Sequence, residues 1–209
     1  MLPTAIRSPM VSTTVLAALC SVLAFVPENT MAWLAYDRQA ILAGEIWRLW
    51  TGHLVHFSVQ HALSDIIVLL ILGKIAEHAV GTRTMGWTLF VCAPIISVIL
   101  LITEPDLIFY RGLSGLSVFI GVAVGTVLWH RASRLHGILT LLGALLAGKI
   151  MLDATGYPLL SSVTAGVKVA WQAHVIGGIL GGLAAIWHER RLWGVRFGEI
   201  WRTILRAAI

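Results

Sequence analysis

Four side chains in this sequence carry chemistry that their surroundings do not call for. Ser114, His174, His61 and Asp65 all lie within, or at the edge of, long apolar runs. An ionisable group inside such a run costs about 3 kcal/mol on membrane-insertion scales, so its default reading is functional. Ser114 stands in "YRGLSGLS", with Gly112 and Gly115 on either side, at the start of an apolar stretch. If that stretch is helical, Ser114, Ser117, Gly121 and Gly125, spaced three, four and four, share one face. Near the end of the chain His174, Gly177 and Gly181 form a second stripe, spaced three and four. Stripes of small residues let membrane helices approach closely. If the two stripes face each other, the His174 imidazole stands beside the Ser114 hydroxyl and acts as its general base. Burial and fixed geometry then supply part of the orientation that a third acidic residue would give.

A helix start adds a second device. Its first backbone N–H groups have no intrahelical acceptor. Those of Ser114 and Gly115 are therefore available to a developing oxyanion, with His61 as a side-chain donor to the same oxygen. Asp65, four residues after His61, shares its helix face and points toward the same cavity. Each residue also has a plainer use. A membrane serine commonly bonds back to the carbonyl one turn earlier, the reading given to Ser117, and a lone histidine can serve packing. It is the joint placement of a serine, two histidines and an aspartate at one depth that argues for chemistry.

The elements that position these groups follow from composition. Of 209 residues, 58% are hydrophobic and only 12% charged, against roughly 25% charged in soluble domains. Nine tryptophans suit a water–lipid boundary. The chain reads as an all-α integral membrane protein. Its net charge of +5 lies in short clusters between apolar runs and in the tail, which argues for cytoplasmic loops and against nucleic acid. Cys20 and Cys92 fall inside apolar runs and read as small buried hydrophobes.

A span needs about 20 apolar residues. Six segments are candidates, the fifth the weakest: Ser8–Pro27, Ser58–Ile75, Thr84–Thr103, the run from "GLSG" to Trp129, Gly137–Met151 and Val169–Trp187. The first resembles a signal peptide but lacks a small-residue cleavage site, and reads as an uncleaved span. The fifth is broken by glycines and closed by Lys149 and Asp153. Between the first two, Glu28 to Val55 holds "GEIWRLWTGHLVH" and reads as an interfacial, partly helical loop. Lys and Arg placement puts both termini in the cytoplasm and Ser114, His61 and His174 toward the other side. The division is a six-span domain over residues 1–189 and a basic amphipathic tail over 190–209. The tail spaces Trp193, Phe197, Trp201 and Leu205 four apart, for the membrane surface.

With those motifs in view, the chain resembles the rhomboid family of intramembrane serine proteases. "GLSG" (Gly112–Gly115) matches the family's GxSG, and "AHVIGGILGG" resembles AHxxGxxxG, with Ala173, His174, Gly177 and Gly181 in register. "HFSVQHALSD" resembles HxxxxHxxxN, and "EIWR", with Trp47 and Arg48, resembles the first-loop motif that braces the fold. The resemblance implies a six-helix bundle in a bacterial inner membrane, its site opening toward the periplasm. Ser114 is then the nucleophile and His174 the base, with His61 and the Ser114 N–H at the oxyanion. Single-span membrane proteins are the implied substrates, with no cofactor or metal. "WRLWTGHLVHFSVQH" and "YRGLSGL" look closest to the rhombosortase branch, associated with trimming glycine-rich C-terminal anchors of exported proteins. Oligomeric state stays open.

Asp65 departs from the family's usual asparagine. Either burial keeps it protonated and able to donate, or it accepts a bond from His61 or a first-loop residue and orients it. The alternative function is a catalytically silent relative that binds transmembrane clients. A small transporter is disfavoured, since paired inverted repeats are not evident.

Overall fold

The computed structural model describes residues 11–155 and 170–188. The tail 190–209 and the outer ends of the first and last expected spans lie outside the described residues.

The first described element is helix α1 (Val11–Leu23), followed by the short α2 (Glu28–Leu34). Strand β1 (Tyr36–Asp37) and two further short helices, α3 (Arg38–Leu42) and α4 (Arg48–Thr51), complete the first loop. Then come α5 (Val59–Val80), α6 (Thr82–Thr103), strand β2 (Phe109–Tyr110), α7 (Ser114–Arg131) and α8 (His136–Ala154). The last described helix, α9, covers 171–188. By length and composition, α5, α6 and the segment Ser133–Ala154 are long and apolar enough to cross a membrane. The core packs α5, α6, α7 and α9 around Leu69, Ile96, Leu100, Leu116, Phe119 and Ala173.

Helix α5 runs five residues beyond the expected Ile75, to Val80. Glu77 gives the reason. Its carboxylate accepts the backbone N–H groups of Ser12 (3.0 Å) and Thr13 (3.3 Å), and the Thr13 hydroxyl (2.5 Å). These N–H groups belong to the first described turn of α1, so a buried acid on α5 ties that turn to its neighbour. Helix α8 is continuous across the glycines expected to interrupt it, because glycine weakens a helix without breaking it.

The first loop is folded rather than draped. Its anchor is α6, where Pro94 lacks the N–H that would bond to the Phe90 carbonyl. The Trp50 indole N–H donates to that carbonyl instead (2.9 Å). Along the same face, His53 Nε2 reaches Ala93 O (2.9 Å), Ser97 Oγ donates to Leu49 O (2.8 Å), and Arg38 donates to Leu101 O (2.6 Å). Inside the loop Arg48 is buried, donating to Glu45 (2.6 Å) and to the carbonyls of Ala32 (2.7 Å) and Ala35 (2.8 Å). Trp47 packs against Trp33 in a tilted arrangement, with ring centroids 5.1 Å apart and planes at 36°.

Arg48→Ala leaves the buried Ala35 carbonyl without this donor and also removes the bonds to Ala32 O and Glu45, so a loss of about 2–3 kcal/mol is expected in thermal unfolding in detergent. Arg48→Lys should recover only part of it, because an ammonium does not reproduce the planar fork.

Candidate active site

Residues 109–113, which lead into Ser114, are held from three directions. Strand β2 pairs antiparallel with β1, Tyr36 opposite Tyr110 and Asp37 opposite Phe109. The Gly112 N–H donates to Gly52 O (3.1 Å), and the buried Tyr110 hydroxyl donates to Gly112 O (2.6 Å). Asp65 Oδ2 accepts the Leu113 N–H at 2.9 Å. The approach to Ser114 is therefore fixed by the first loop and α5 before α7 begins.

Gly112 is required twice over. Its φ of +130° belongs to the glycine region, and a Cβ there would lie 2.9 Å from His61 Cε1 and 3.4 Å from Asp65 Oδ2. This brings His61 against the turn, two residues before Ser114. Asp65 Oδ2 also meets His56 Nε2 at 3.2 Å and His61 Nε2 at 3.5 Å. Of the two roles open for this residue, the contacts are those of an acceptor that orients the turn. Asp65→Asn keeps an oxygen for Leu113 and should cost under about 1 kcal/mol, whereas Asp65→Ala orphans that N–H and should cost about 2–3 kcal/mol. Thermal unfolding of both variants in one detergent checks the difference.

Across the bundle, α9 presents His174. Its Nε2 lies 2.8 Å from Ser114 Oγ. The approach depends on glycine: a Cβ on Gly177 would fall on the Gly115 carbonyl, and one on Gly181 on the Phe119 carbonyl. The α9 stripe thus packs closely on α7, but at Gly115 and Phe119 rather than on the expected α7 stripe, of which Gly121 faces Leu72 of α5 and Gly125 has open space. Ser117 is buried, and its Oγ has no hydrogen-bond partner among the described residues.

The sequence pattern assigns no role to His53 and marks Asp153 only as the close of a span. His53 is fully buried under Tyr110, with ring centroids 5.3 Å apart. Ala93 O can only accept, so His53 Nε2 carries the proton, and burial pushes this imidazole down to about 4. It is a neutral brace between α6 and the turn. Its signal lay in the first-loop wording "TGHLVH", where it stood three residues from His56. Asp153, from α8, lies 3.8 Å from His174 Nδ1. An apolar cavity of about 190 Å³ between α5, α6, α7 and α9, lined by residues such as Ile75, Val124 and Leu128, involves none of these groups.

A bundle of long apolar helices with a serine and a histidine joined across two of them defines a class, a helical membrane protein with a built polar site. A Rhomboid domain profile matches residues 43–191. The chain is 27% identical over 172 residues to "Rhomboid protease GlpG" of Pectobacterium atrosepticum, covering 77% of this chain and 54% of that protein. It is 29% identical over 163 residues to the protein of the same name from Yersinia pseudotuberculosis, with 77% and 54% covered. The chain spans about half the length of these curated relatives. It belongs to the rhomboid family and is an integral membrane protein.

Proposed function

We propose that this chain is an intramembrane serine endopeptidase that cuts single-span membrane proteins near the non-cytoplasmic boundary. The observation that carries the reading is the 2.8 Å contact between Ser114 Oγ and His174 Nε2 across α7 and α9. The Ser114 hydroxyl donates to Nε2, which takes the proton as Oγ attacks the scissile carbonyl. The C=O π pair moves onto oxygen, facing the N–H groups of Ser114 and Gly115 and the His61 imidazole. Collapse breaks the C–N bond, with the proton passing from Nε2 to the leaving amine. Water, activated by the same imidazole, then frees the acyl-enzyme. The substrate must present extended backbone, so helix-breaking small residues at the cut site suit this chemistry.

The topology that goes with this reading has six spans, both termini in the cytoplasm and the site facing the periplasm of a bacterial inner membrane. Residues 1–189 then form the catalytic domain and 190–209 a surface-bound tail. The Lys and Arg distribution supports that orientation. The finer reading is the rhombosortase branch, with glycine-rich C-terminal anchors as substrates, supported by the wording around Arg48 and Ser114. A silent client-binding relative has no observation in its favour, since Asp65, the feature that suggested it, bonds to the turn that holds Ser114.

A fluorophosphonate probe tests the chemistry. Wild type in proteoliposomes is expected to label at Ser114, and His174→Ala to label at least about 100-fold more slowly, as loss of a general base requires. Unchanged labelling in His174→Ala would sink the reading. A reporter with a glycine-rich C-terminal anchor, cut in preference to one lacking it, would support the narrower branch.

A further inference from the structure

Beyond the pair stands Asp153, on a helix that otherwise contributes little to the core. It is the one buried residue of α8 among the described residues. Its side chain is 2% exposed and its Oδ2 lies 3.8 Å from His174 Nδ1. If Ser114 donates to Nε2, the neutral imidazole carries its proton on Nδ1. That Nδ1 is buried and has no hydrogen-bond partner among the described residues. A buried N–H facing a buried carboxylate, with no closer acceptor, is a pair one small adjustment short of a hydrogen bond. Lys149, one turn before Asp153, donates to the same Oδ2 at 2.6 Å and keeps its ammonium partly exposed.

We infer that Asp153 is a positioning residue for His174: it accepts Nδ1–H as the imidazole becomes positive, fixing the tautomer that leaves Nε2 free for Ser114, while Lys149 holds the carboxylate in place. The inference rests on the serine-protease reading. The proton taken from Ser114 stays on Nε2 and returns to the leaving amine, so Asp153 gains none and stabilises the imidazolium by its charge. The pair becomes a triad whose acid is supplied by α8. An aspartate, unlike the bulky aliphatics elsewhere on α8, has no packing reason to be the residue that faces inward.

Among the described residues, the charged and titratable groups around His174 are Lys149 and Asp153 on α8 and His61 and Asp65 on α5, with the Ser114 hydroxyl on α7 beside them. Removing one at a time separates orientation from folding. In proteoliposomes, Asp153→Asn should lower kcat for a transmembrane reporter about tenfold or more with KM little changed, since its amide can donate to Nδ1 and favour the wrong tautomer. The acid limb of its kcat/KM profile should move to lower pH by about one unit, because an anion beside the imidazole is gone. Asp153→Glu should recover part of kcat. Lys149→Gln should move the limb the opposite way, since the carboxylate is then shared with no cation. A structural role for Asp153 alone would change stability and leave both limbs in place.

Wild-type kcat and an unmoved limb in Asp153→Asn would overturn the inference, as would an unmoved limb in Lys149→Gln if the aspartate variants do not fold. Ser114→Ala is run alongside. If it retains activity, the protease reading itself fails; if it is dead while the Asp153 and Lys149 variants behave as wild type, only the triad does.

Discussion

In Ser114→Ala, cleavage of a transmembrane reporter should fall to background, with kcat/KM reduced by a factor on the order of 10⁵. That corresponds to about 7 kcal/mol of lost transition-state stabilisation. The folded state should barely notice. Ser114 is partly buried, and its hydroxyl bonds to His174 Nε2. Losing a single neutral hydrogen bond costs about 1 kcal/mol. The two effects differ by several kcal/mol, so thermal unfolding should move little while activity disappears. Ser117→Ala is the internal control. It sits one turn deeper in the same helix, is buried, and its hydroxyl has no partner among the described residues. Its removal should leave kcat/KM within about twofold and stability unchanged or slightly improved. Equal losses in the two variants, measured by reporter cleavage and probe labelling, would mean the serine face matters for packing rather than chemistry.

What the sequence made legible follows helix periodicity. The spacing of His174, Gly177 and Gly181 is a face whatever the partner, and the α9 glycines do pack closely on α7. The four-residue step from His61 to Asp65 likewise puts both at one turn, and Asp65 Oδ2 lies 3.5 Å from His61 Nε2. Periodicity does not say which neighbour a small residue admits. Gly121 was grouped with Ser114, yet it receives Leu72 of α5. Strands of two residues, such as Tyr36–Asp37, are too short to show alternation, so the pairing that fixes the turn before Ser114 had no signature. The Trp50 bond to Phe90 O was half visible, since Pro94 guarantees a carbonyl without its helical donor but does not name the group that supplies one. Asp153 was read as the end of a span. Its role depends on how α8 turns against α9, which no local pattern encodes.

The second large effect is expected from a single methyl. In Gly177→Ala the new Cβ would fall on the Gly115 carbonyl oxygen and within 3.3 Å of the Phe119 nitrogen. Both are backbone atoms of α7, so no side chain can turn aside to make room. The helices must separate, at a cost of about 1–3 kcal/mol for overpacking. His174 is one turn earlier on α9 and travels with it, which lengthens the 2.8 Å contact to Ser114. A misplacement of about 1 Å can cost about 100-fold in rate. Probe labelling should therefore fall about 100-fold even in the fraction that remains folded. Gly178, the next residue, supplies the comparison. A Cβ there meets Val118 Cγ1 at 3.7 Å and Val122 Cγ2 at 3.8 Å, which is ordinary contact. Gly178→Ala should be tolerated or slightly stabilising, since alanine favours a helix over glycine by about 1 kcal/mol. Thermal unfolding and labelling of the two variants side by side decide the matter. If Gly177→Ala labels like wild type, α9 does not set the distance between Ser114 and His174. If Gly178→Ala is equally damaging, the sensitivity belongs to the whole helix rather than to the one face that touches α7.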